Sequence, residues 1–144
     1  MRLKKVWISE YKNLKDFAVT FDGDSFVDIF VGKNGSGKSN FFEALFLIFE
    51  FLVSFSKNDS LFKFHIDYEL NSEPINIKWR DFPKELLVNN ERQEHFRRTW
   101  LPDSILVYYS GHNPMIPERL AIAEDKFRDK VKKPILLMIV FALG

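Results

Sequence analysis

The segment Gly32-Lys33-Asn34-Gly35-Ser36-Gly37-Lys38-Ser39 fits the pattern G-x-x-x-x-G-K-[ST], a glycine-rich turn that holds phosphate where a strand passes into a helix. Its flanks satisfy that context. Phe26-Val27-Asp28-Ile29-Phe30-Val31 leads in with strand-like character, and a long apolar segment of helical length leaves from Asn40. The pattern therefore dictates a strand, a tight anion-binding turn and a buried helix in immediate succession.

A chain of phosphates carries several negative charges, which backbone N–H groups and the positive end of a helix dipole can hold. Side chains obstruct that wrapping. Gly32, Gly35 and Gly37 permit backbone angles and a close approach that a Cβ resists, so the loop can curl round the β-phosphate. Lys38 then bridges the β- and γ-phosphates as a point charge, and Ser39 offers its hydroxyl to Mg²⁺, a hard cation that keeps several waters. The ligand implied is ATP with Mg²⁺.

With 144 residues, 46% of them hydrophobic, the chain can bury a core of one domain or of part of a larger one. Sixteen phenylalanines point to apolar surface that packs on something more than this chain's own core. A net charge of +1 provides no global electrostatic argument for nucleic acid. Cysteine is absent, which excludes disulfides, thiolate catalysis and cysteine-held metal sites and fits a reducing cytoplasm. The N-terminus lacks the apolar core of a signal peptide. Phe41 to Phe55 contains Glu43 and Glu50, and Ile135 to Leu143 is too short to span a bilayer, so no membrane partner is expected.

Along the chain, Leu3 to Tyr11 and Phe17 to Phe21 read as an antiparallel pair about a turn at Asn13 to Asp16, with Phe26 to Val31 as a third strand. Asn40 to about Ser56 reads as a helix apolar nearly all round. Glu43 and Glu50 share one face of it, and a solvated stripe is the simplest account of both. Residues 61 to 79 alternate about Asn71-Ser72-Glu73-Pro74 as a hairpin, with His65 as a surface histidine. Residues 80 to 100 are charged and poorly periodic. They read as a solvated helix with ion pairs among Glu91, Arg92, Glu94, Arg97 and Arg98, or more sharply as a phosphate-contacting patch. Ile105 to Tyr109 reads as a buried strand ending in the polar loop Ser110 to Pro114, which either faces the nucleotide or is a plain exit turn. Met115 to about Lys133 suggests an amphipathic helix or a pair of turns with a basic end, and Ile135 to Phe141 a last strand.

The opening hairpin with Tyr11-Lys12-Asn13-Leu14, followed by Val31-Gly32 through Gly-Lys-Ser-Asn-Phe-Phe-Glu-Ala-Leu45, resembles ABC-type ATPases of the SMC/RecF class. Within that class it looks most like the RecF/OLD-like AAA family ATPases of bacterial restriction and anti-phage systems. Residues 1 to 45 carry most of the resemblance, and Leu101 to Gly111 is similar to the stretch before the family's Q-loop. The implied fold is α/β, a P-loop NTPase with an ABC/SMC-like head and an antiparallel hairpin subdomain.

Carried over by motif, Gly32 and Asn34 to Asn40 would line the nucleotide, with Lys12 and Asn13 of the first hairpin near it and Ser39 on Mg²⁺. The resemblance further implies a dimer or heteromer in the complete protein and a role with DNA. Three parts are expected: residues 1 to 56 with hairpin, strand, loop and helix; 57 to 100 with a hairpin and a charged segment; and 101 to 144 with strand, loop, helix and terminal apolar run. No glutamine stands in the loop at Ser110 to Asn113, and no apolar run is followed by the Asp-Glu pair that such ATPases use. The expectation is an N-terminal portion of a longer ATPase that binds nucleotide and hydrolyses little alone. Two other functions fit the same loop. A P-loop kinase for a small molecule or nucleoside is one, although about thirty residues precede the loop here. A non-catalytic module that orders an assembly interface on binding nucleotide is the other.

Overall fold

A computed structural model describes residues 1–21, 30–31, 33, 35–56, 58–102, 107–108 and 139–140. The chain divides into two compact units, Met1–Leu101 and Pro102–Gly144. In the second, Val107–Tyr108 pairs in parallel with Ile139–Val140. These four residues lie within the runs expected to be strands. The loop at Ser110 to Asn113 and the helix expected from Met115 lie outside the described residues.

The first unit is a six-stranded sheet under one long helix. Its strands are β1 (Arg2–Tyr11), β2 (Leu14–Thr20), β3 (Phe64–Leu70), β4 (Glu73–Asp81), β5 (Lys84–Val88) and β6 (Glu91–Gln93). Their spatial order is β2-β1-β3-β4-β5-β6, and every neighbouring pair is antiparallel. Short turns make that outcome unavoidable for β3 to β6, since strands joined by two residues can only fold back on each other. Asn71-Ser72 and Asn89-Asn90 adopt positive φ in these turns, and asparagine tolerates that conformation better than most residues. An α/β alternation was expected; the described residues instead form a mostly antiparallel sheet with one helix. The expected third strand, Phe26 to Val31, lies almost wholly outside them.

Residues 80 to 100 differ from expectation for a definable reason. They form the end of β4, β5, β6 and a short 3-10 turn at Arg98–Trp100, not a solvated helix. Leu86 and Val88 alternate inward and are buried, which places Lys84–Val88 on the same apolar face as β4. Of the ion pairs expected here, Arg92 and Glu94 approach to 3.8 Å, while the Arg97 guanidinium lies 5.3 Å from the Trp100 ring.

The helix α1 (Lys38–Val53) covers one sheet face. Val6 and Ile8 of β1, Phe64, Ile66 and Tyr68 of β3, Ile77 and Trp79 of β4, and Leu86 of β5 supply the buried floor. Aromatic rings join the layers: Phe51 meets Trp79 at 4.9 Å and Phe64 at 6.0 Å, Phe49 meets Tyr68 at 6.4 Å, and Phe41 meets Phe17 at 5.6 Å. Ring pairs at such separations add about 0.5–1.5 kcal/mol each beyond area burial. Many of the phenylalanines are thus consumed in the chain's own core. Phe30 extends the cluster to Phe21, Phe41 and Phe42.

The opposite sheet face is polar. His65 sits there half-buried, its Nε2 2.9 Å from Asp67 Oδ1 and close to the Asn76 carboxamide. Trp7 also faces this side and donates from Nε1 to Asp16 at 2.7 Å.

Candidate nucleotide-binding loop

A turn at Gly35 precedes α1. Ser36 N donates to Lys33 O at 3.1 Å, and Gly35 and Gly37 take φ values of 83° and 95°. Gly37 caps α1 in the left-handed region, and the first intrahelical bond runs from Phe41 N to Gly37 O at 2.8 Å. The amides of the first turn therefore have no acceptor within the helix. The N-cap glycine has no side chain with which to cap them, and no acidic residue occupies that turn. A helix start left so is electrostatically suited to an anion.

Lys38, at the first position of α1, folds its ammonium back over the loop. Its Nζ donates to Lys33 O at 3.0 Å and lies 3.5 Å from Ser36 Oγ. Ser39 is half-buried one residue further into the helix. Of the residues predicted to line the nucleotide, the structure brings Gly35, Ser36, Gly37, Lys38, Ser39 and Asn40 together in this turn and first helical turn. Gly32 and Asn34 lie outside the described residues. Among the described residues no cluster of three or more His, Asp or Glu side chains could hold a metal ion, so Ser39 stands as the hydroxyl at the helix start without a protein cage round it.

Lys12 and Asn13, expected near the nucleotide, meet the loop from the sheet side. The Asn13 carboxamide accepts from Asn40 Nδ2 at 2.7 Å and donates to Gly35 O at 3.4 Å. A Cβ on Gly37 would come within 3.0 Å of Leu14 Cδ2 and 3.2 Å of the Asn13 carboxamide, so this position requires glycine for space as well as for φ. Lys12 Nζ is 2.5 Å from Glu43 Oε2 and 5.5 Å from the Tyr11 ring centroid.

Glu43 corrects the sequence reading. It was expected on a solvated stripe with Glu50, yet its side chain is only 2% exposed and paired with Lys12. The physical reason is the helix itself. Buried residues lie on nearly all sides of α1, so no stripe was available to solvate both acids. An acid set between Phe42 and Ala44 was the signal that could have found it.

The chain belongs to the AAA ATPase domain family, whose profile matches residues 1–137. Membership implies nucleotide binding, with ATP and typically Mg²⁺ as the ligands of such domains. No curated protein matches the chain. Among the described residues no helix is long and apolar enough to cross a membrane.

Proposed function

We propose that the chain binds Mg-ATP through residues 32–39, the Walker A loop, in the manner of an SMC/RecF/OLD-like ATPase that works in the cytoplasm. The observation that carries this reading is the junction at Gly37. A left-handed glycine, which has no capping side chain of its own, launches α1 directly, while the Lys38 ammonium lies over the same turn. First-turn amides and the Lys38 ammonium would together meet a β-phosphate there, and Ser39 would give Mg²⁺ one oxygen while phosphate and water supply the rest. When bound, the magnesium ion screens the charge of the phosphates. The chain's own part is to orient the triphosphate and neutralise it with Lys38.

Association with a second copy or a related subunit, and action on DNA in repair or phage defence, rest on the family resemblance of residues 1 to 45. A basic field over the whole chain is not their support, since the net charge is +1.

Titration of the purified chain with a fluorescent ATP analogue and Mg²⁺ tests the nucleotide reading. Lys38→Ala should weaken affinity at least tenfold, consistent with loss of a charge-assisted contact worth about 1.5–3 kcal/mol. Equal binding by both proteins would refute it.

A further inference from the structure

We propose that Lys12 and Glu43 are positioning residues of the phosphate loop. Their ion pair, acting with the Asn13 carboxamide, clamps the turn of the β1–β2 hairpin to the start of α1 and holds the loop in its curved form. The role as an aid to ligand binding rests on the nucleotide reading above, whereas the clamp itself does not.

Glu43 is the one charged side chain buried among the described residues. A buried carboxylate is costly unless paired, and an apolar residue of similar size would usually stabilise such a helix at least as well. Glu43 is therefore poorly explained by packing. Its Oε2 receives Lys12 at 2.5 Å, and its Oε1 has no hydrogen-bond partner among the described residues. The compensation for burying this charge hence falls on Lys12.

Lys12 in turn adopts φ 51°, a left-handed conformation that residues with a Cβ enter reluctantly. The backbone there delivers the Lys12 side chain to Glu43 and, at the next residue, the Asn13 carboxamide to Asn40. Asn40 and Glu43 are three apart on α1, so they lie on one helix face and are both within reach of a two-residue turn. The third contact, Asn13 to Gly35 O at 3.4 Å, extends the grip to the loop, and the space at Gly37 is closed by the same asparagine. The hairpin turn thus touches the helix twice and the loop twice from behind.

Hydrogen–deuterium exchange of the nucleotide-free chain, read on peptides covering residues 33 to 42, tests the clamp. Glu43→Gln and Lys12→Met should each speed exchange of the loop and first-turn amides about tenfold, the effect of one lost charge-assisted bond. Lys12→Arg should restore the wild-type rate, and the double variant should be no faster than the faster single one. Mg-ATP affinity should fall in parallel. Asn13→Ala, on an exposed turn, gives the same loop readout if a variant at Glu43 does not fold. Unchanged loop exchange in folded variants, even with a lowered melting temperature, would overturn the proposal. Faster loop exchange in a chain that binds no nucleotide would uphold the clamp and sink the nucleotide reading alone.

Discussion

Gly37 lies so close to Asn13 that a Cβ at residue 37 would sit 3.2 Å from both heteroatoms of the Asn13 carboxamide. The two residues come from elements separated by the whole of β2, so the glycine that launches α1 is shaped by the first hairpin as much as by its own neighbours.

Gly37→Ala should accordingly be destabilising by about 1–3 kcal/mol, from positive φ and crowding together. Gly35→Ala shares the positive φ but would meet nothing within 4 Å, and its cost should stay near 1 kcal/mol. Urea melts of the two variants check the difference. Equal losses would mean that the contact with Asn13 contributes nothing.

Phe51 is the ring that joins α1 to β3 and β4, being 7% exposed and in contact with Phe64, Trp79 and Phe55. Phe51→Ala should cost about 3–5 kcal/mol, through lost transfer energy and the cavity left behind. Chemical denaturation measures it directly. A loss below 1 kcal/mol would show that the helix does not depend on this layer.

Tyr68 is buried on β3, and its hydroxyl donates to the carbonyl of Trp100. Burial pushes the phenol above its ordinary range near 10. In the unfolded chain the phenol loses its proton from about pH 10, while the folded chain keeps it, so the folded state then holds the extra proton. Stability should therefore be insensitive to this group below about pH 10 and fall above it, with a limiting slope of about 1.4 kcal/mol per pH unit. Tyr68→Phe should remove that alkaline component while lowering stability at neutral pH by about 1 kcal/mol through the lost hydrogen bond. Urea melts between pH 8 and about pH 11 would reveal identical slopes in both proteins if the assignment is wrong.

What could be read from the sequence was local and strongly marked. The first hairpin and the strands about Asn71-Ser72 follow from alternation and turn residues, although the first turn is Lys12-Asn13 and not Asn13 to Asp16, and the helix starts at Lys38 and not Asn40. The strand Lys84–Val88 was missed because five residues with two inward side chains hold too little periodicity to outweigh the charges around them. Glu43 was misread because its partner stands thirty-one residues upstream, and a helix apolar on nearly every side gives no face from which to infer where an acid points. The mostly antiparallel architecture escaped notice for a related reason. Which strand lies beside β1 is decided by long-range pairing, and nothing in Leu3 to Tyr11 names Phe64 to Leu70 as its neighbour.

That last pairing has a consequence for synthesis. Because β1 stands between β2 and β3, β1 gains its second neighbour only after residue 70 has left the ribosome, with the glycine-rich segment and all of α1 already made. The floor under α1 is completed from downstream, so a nascent chain halted before β3 would carry the first hairpin and the whole helix yet lack the β3 to β5 side chains on which that helix packs.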